Sequence, residues 1–153
     1  MKCCSYLFTK FHFQDLRTAN PPNQKGVYVI RIKHRGEDSK RIIGQVQLLV
    51  EKLDWKVIGD FFDNRIGRLS RIVDCPLIYI GANRNKGKNT LKDRYRELAN
   101  RHTIMYPLWV LIYYDWDFEF GWQVTDNPQL LEKQLKQKYK ELHRGNLPAL
   151  VKR

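Results

Sequence analysis

Gly26-Val27-Tyr28-Val29-Ile30-Arg31-Ile32-Lys33 is the stretch on which the reading of this chain turns. Pro21-Pro22-Asn23 breaks any regular element before it, Lys25 leads in, and His34-Arg35-Gly36-Glu37-Asp38 reads as the turn that closes it. This punctuation predicts a strand over Gly26 to Lys33. A second strand is expected from Leu77 to Gly81, after Pro76, and it carries Tyr79-Ile80-Gly81. The two tyrosines therefore stand at matching places on two short strands. Either triplet alone is a weak signal, because strands favour aromatic residues generally.

Working outward, residues 1 to 19 mix Tyr6, Phe8, Phe11 and Phe13 with polar residues and read as an N-terminal arm that extends to about residue 22. Residues 91 to 101 are expected to be helical, and Trp109 to Tyr114 reads as a third, apolar strand, with Asp115 to Glu119 an acidic turn or its continuation. Thr125-Asp126-Asn127-Pro128 is a helix start, with a capping oxygen ahead of a first-turn proline. That helix should run to about His143, before Gly145 and Pro148. Between the tyrosine strands, about 39 to 74, Phe61, Phe62, Ile66, Leu69 and Ile72 (with Ile58) make a helical stripe beside Arg65, Arg68 and Arg71. Ile42, Val46, Leu49, Val50 and Leu53 also fit helix spacing, although Val46, Leu48 and Val50 fit strand alternation equally well. An inserted helical segment is expected there, with core building and substrate contact as equal alternatives. The sum is an α/β domain spanning residues 1–153: a small three-stranded, mostly antiparallel sheet flanked by helices.

A chain of 153 residues suits one domain with a core of its own. Lys and Arg number 28 against 16 Asp and Glu, a net charge of +12 that suits a polyanionic partner such as nucleic acid. The excess is local as well: Arg84, Lys86, Lys88, Lys92, Arg94, Arg96 and Arg101 face only Asp93 and Glu97 across the same stretch. No run of ~18 apolar residues is present for a membrane span, and the start is too short for a signal peptide, so the cytoplasm is the expected compartment. Cys3, Cys4 and Cys75 offer no paired Cys/His spacing for zinc and read as reduced, incidental thiols.

Gly26-Val27-Tyr28, Tyr79-Ile80-Gly81, Arg94, Glu132 and Asn146, in that order, resemble the catalytic core of the GIY-YIG nuclease family, over roughly residues 22 to 150. The long stretch between the tyrosine motifs departs from the compact family pattern. The resemblance implies an endonuclease that hydrolyses phosphodiester bonds of DNA with a single Mg2+ (or Mn2+). It carries to Tyr28 the role of base for the attacking water, to Tyr79 a supporting hydroxyl, to Glu132 the metal, and to Asn146 a positioning hydrogen bond. Arg94 would hold the phosphate. His102 comes two turns after this arginine where many members place a histidine one turn after; it is either an equivalent catalytic group or a half-buried histidine on an apolar face. Helical phase supports Arg94 independently: Leu91, Tyr95, Leu98 and His102 form one stripe with Arg94 at its edge and Arg96 opposite. Glu132 also stands four residues before Lys136, a favourable surface pairing. Arg84, Lys86, Lys88, Arg65 and Arg68 are the candidate nucleic-acid contacts. The alternative is a non-catalytic nucleic-acid-binding module on the same fold, and the sequence leaves the oligomeric state open.

Overall fold

Val27 and Val29 belong to one core and Tyr28, Ile30 and Ile32 to another, and all five are buried. A continuous apolar run buried on both faces is the mark of an interior strand. The computed structural model, which describes residues 4–53, 56–83, 89–100, 102 and 104–152, bears this out. The strands are β1 (His12–Asp15), β2 (Gly26–His34), β3 (Leu77–Ala82) and β4 (Asp117–Val124), ordered β1-β4-β2-β3 with every neighbouring pair antiparallel. The sheet thus has four strands rather than three, because part of the N-terminal arm pairs with β4 and covers an edge that would otherwise be open.

On the face bearing Tyr28 pack α1 (Ser39–Leu53), α2 (Lys56–Asn64), the 3-10 turn Ile66–Arg71, α3 (Leu91–Asn100) and α4 (Met105–Tyr113). The other face is covered by α5 (Pro128–Leu142) through Leu135 and Tyr139, and by Phe8 and Phe11 of the arm. The segment between β2 and β3 is helical as expected, and Ile42, Phe62, Ile66 and Leu69 make it part of the main core. Among the described residues no helix is long and apolar enough to cross a membrane.

Of the expected third strand, Trp109 to Tyr113 is instead the second half of α4, and of the two alternatives for Asp115 to Glu119, turn or strand, the structure has β4 starting at Asp117. A short apolar run does not disclose its own period. Burying Leu108 and Leu111 in the main core is worth roughly 1.5–3 kcal/mol each, more than the intrinsic preference of any one residue for strand over helix. In β4, Phe118, Phe120 and Trp122 alternate into the core opposite Ile32, Ile30 and Tyr28. Glu119 is tolerated there because Arg31, its cross-strand partner, bonds it at 2.6 Å.

The helix ends follow their local chemistry. Thr90 and Asp93 form a reciprocal box at the start of α3, with Thr90 N and Oγ1 both 2.8 Å from Asp93 Oδ2. Asn127 caps α5 by accepting from Leu130 N, with Pro128 in the first turn. Gly145, at φ +81°, closes the other end, its N–H donating to Lys140 O at 2.8 Å.

Candidate active site

Regular alternation from Leu77 would send Tyr79 to the face opposite Tyr28. The pairing slips between Ile30/Tyr79 and Arg31/Leu77, leaving Ile78 as an extra residue. This bulge turns Ile78 and Tyr79 to the same face, so Tyr79 joins Tyr28 with ring centroids 5.7 Å apart. Gly81, directly opposite Tyr28, is what admits both rings. A Cβ there would lie 2.7 Å from Tyr28 Cζ and 2.7 Å from Tyr79 Cε1. At Gly26 a Cβ would lie 2.4 Å from the carbonyl oxygen of Gln123 and 2.7 Å from Leu91 Cδ1, so only glycine lets α3 approach β2 at this point.

His102 joins the two tyrosines. Its Nε2 is 3.0 Å from the Tyr28 hydroxyl and 3.3 Å from that of Tyr79. The backbone N–H of Ile104 donates to Nδ1 at 3.3 Å, which assigns the proton of the neutral ring to Nε2 and makes it a donor toward the tyrosine oxygens. Of the two expectations for His102, the structure brings it to the tyrosines and also buries it.

Arg94 emerges from α3 with a side chain 15% exposed, while Arg96 faces outward, as helical phase predicts. Arg94 pairs with Glu97, and its charge acts on Tyr28 and Tyr79. Burial pulls its pKa down, but Tyr28, Glu97 and Tyr79 outweigh that and hold it above the usual value. Burial pushes the Tyr28 phenol well above its ordinary range, aided by Tyr79 and opposed by Arg94. Burial raises Tyr79 as well, with Tyr28, Arg94 and Arg68 opposing and Glu132 adding to the rise.

These groups open onto a cleft of about 300 Å³ lined by Tyr79, Gly81, Ala82, Asn83, Arg94, Gln129 and Glu132. Tyr28 is fully buried and stands behind this wall. Among the described residues Glu132 is the one carboxylate lining the cleft, and Lys136 Nζ pairs with its Oε1 across one turn of α5. Among the described residues, two buried polar side-chain atoms have no hydrogen-bond partner, Arg94 Nε and Gln129 Oε1, and both belong to this cleft. An orphaned donor beside a guanidinium suits an anion, and an orphaned acceptor beside a carboxylate suits water on a hydrated cation. These oxygen donors are of the kind magnesium or manganese takes, and Glu132 would be the residue to hold such an ion.

Asn83 and Gln129 carry no motif and were not singled out by the sequence. Asn83 Oδ1 accepts from Gly26 N at 2.9 Å, its Nδ2 donates to Asn89 O at 2.8 Å, and its carbonyl accepts from Gln129 Nε2. Asn83, two residues past the second motif, thus ties that motif to the first and to α5. No local pattern signals such a role.

Two other expected residues do not line this cleft. Asn146 is exposed, donates to the carbonyl of His143 at 3.1 Å and lines a different cleft with Tyr139 and His143. The plain helix-stop chemistry of Gly145-Asn146 accounts for it. Arg68 is buried, donates to Leu150 O at 3.4 Å and acts electrostatically on Tyr79, so it is no exposed phosphate contact. Arg65 is half-buried beside it. Arg84, Lys86, Lys88 and Arg101 lie outside the described residues.

Comparison with protein-family models, with characterised proteins and with solved structures finds no match. The shown class is an α/β domain with a four-stranded antiparallel sheet and a polar cleft at the ends of β3 and α5.

Proposed function

We propose that this protein is a GIY-YIG-type endonuclease that hydrolyses DNA phosphodiester bonds with one magnesium or manganese ion. The observation that carries the reading is the meeting of Tyr79, Arg94 and Glu132 in one cleft, with Tyr28 and His102 directly behind. Arg94 receives the scissile phosphate through its fork, and its unpartnered Nε–H becomes satisfied when that anion enters. The tyrosine pair supplies the base, Tyr79 at the cleft and Tyr28 behind, and Nε2–H of His102 steadies whichever oxygen carries charge. Because burial raises both phenols, a phenolate at neutral pH needs added positive charge. Glu132 would hold the divalent ion, which when bound would supply that field and stabilise charge developing on the phosphate oxygens.

Incubation of supercoiled plasmid, branched DNA and RNA with Mg2+ or Mn2+, with a chelator control, tests this. Chelator-sensitive cleavage of a DNA substrate that Arg94→Ala abolishes is the expected result. No cleavage of any DNA substrate by the folded protein refutes it. The close Lys136–Glu132 pair favours a second reading, a nucleic-acid-binding module that does not cleave. A salt-sensitive gel shift without cleavage is its signature.

A further inference from the structure

Cys4, Cys75 and His143 are remote in sequence, yet their potential ligand atoms all lie within 4.8 Å of one another. Cys4 Sγ is 3.3 Å from Cys75 Sγ, and both cysteines are buried. Cys4 begins the arm, Cys75 precedes β3, and His143 caps the C-terminus of α5. The candidate cleft sits at the opposite ends of the same β3 and α5. At ~3.3 Å per strand residue and ~1.5 Å per helix residue, the two places are roughly 15–20 Å apart.

The imidazole is oriented. Nδ1 of His143 lies 2.8 Å from the carbonyl oxygen of Tyr139, and a carbonyl only accepts, so Nδ1 carries the hydrogen and the ring lone pair is on Nε2. The ring also stacks on Tyr139 at 3.8 Å and 6°. Tying one ring nitrogen to a backbone carbonyl is how proteins fix a metal-ligating histidine. Cys75 is disulfide-bonded in this structure rather than the reduced thiol expected, so its sulfur can ligate a metal only once that bond is reduced.

We propose that in the reduced protein Cys4, Cys75 and His143 form a structural zinc site that clamps the arm and the start of β3 to the end of α5. Two sulfurs and an imidazole select a borderline-soft ion of tetrahedral habit and disfavour magnesium, which takes oxygen donors. Zinc's fourth position is left for a further donor, such as water. Binding here ties together three segments that the sequence leaves far apart, so metal affinity becomes fold stability.

The test uses the full chain, expressed and purified with a phosphine reductant. Metal analysis should find about one zinc per chain. Stripping zinc with a chelator should lower the thermal midpoint by on the order of 10 °C, and zinc should restore it. Cobalt titration of the stripped protein should give thiolate-to-cobalt charge-transfer and tetrahedral d–d absorption. Cys75→Ser and His143→Ala should each cut zinc content to below about a tenth of the wild-type value. If either variant does not fold, the cobalt spectrum of the unmutated chain decides. Reduced protein that takes up no zinc, shows no charge-transfer band, or keeps its midpoint under chelator overturns the proposal. None of these measurements involves DNA, so the nuclease reading stands or falls separately.

Discussion

Gly81→Ala probes the tyrosine arrangement at its tightest point. The new Cβ would lie 2.7 Å from Tyr28 Cζ and from Tyr79 Cε1, short of ordinary contact at 3.4 Å by about 0.7 Å, and 2.8 Å from the Tyr28 hydroxyl. Tyr28 cannot yield cheaply, since it is fully buried and stacked on Phe120 at 5.4 Å. Overpacking of this kind costs about 1–3 kcal/mol. For a chain of this size, each kcal/mol lowers the thermal midpoint by roughly 2–4 °C, so a fall of about 2–12 °C is expected. Gly44→Ala is the control: it sits on the exposed side of α1 with nothing within 4 Å, so gaining helix propensity should leave stability unchanged or raise it by about 0.5–1 kcal/mol. A displacement of the hydroxyls approaching 1 Å should also slow cleavage by up to about 100-fold at saturating substrate. The assays are thermal denaturation followed by circular dichroism and a plasmid nicking time course. An unchanged midpoint in Gly81→Ala, or a fall matched by Gly44→Ala, refutes the packing argument. A lowered midpoint with full activity refutes only the role given to the tyrosines.

Four further outcomes are expected. Glu132→Gln should stop metal-dependent cleavage while leaving DNA binding intact or tighter, whereas Lys136→Gln, which breaks the same pair, should cost only about 0.3–0.5 kcal/mol of stability and keep activity; nicking and gel shifts on both separate the roles. Arg94→Ala should lose about a hundredfold or more of the cleavage rate and Arg96→Ala little, so equal losses would refute their placement. Asn146→Ala should leave the cleavage rate within about twofold, because its amide serves only the turn after α5; a large loss would place it in the active site. Stability should fall as pH rises past about 10: unfolded tyrosines ionise there while Tyr28 and Tyr79, with raised pKa values, stay protonated, so the folded state binds more protons. Tyr28→Phe should flatten that alkaline limb, as pH-dependent urea unfolding would show.

Much of the site was legible because its parts are written locally. The strands at Gly26 and Leu77, the cap at Asn127-Pro128 and the inward edge of Arg94 each follow from punctuation or helical phase within a dozen residues. The helical nature of the segment between β2 and β3 was legible too, while its part in the core emerges only where Ile42, Phe62 and Leu69 join the main core. Trp109 to Tyr114 reads as a strand because a short apolar run carries no visible period, and Asp115 to Glu119 leaves turn and strand open until Arg31 is set opposite Glu119.

The sequence by itself determined where the tyrosines, the arginine and the glutamate stand along the chain, and which elements carry them. Only the tertiary structure decided that they share a cleft, because a one-residue bulge reverses the face of Tyr79 and no composition or spacing encodes that slip. The same holds for Asn83, whose hydrogen bonds run to partners on β2, the start of α3 and α5. It holds most for Cys4, Cys75 and His143, which show no metal spacing in sequence and converge only when the arm, β3 and α5 pack on one face of the sheet. Contacts between segments far apart in the chain depend on how whole faces bury, and that is settled by the core as a unit rather than by any residue's neighbours.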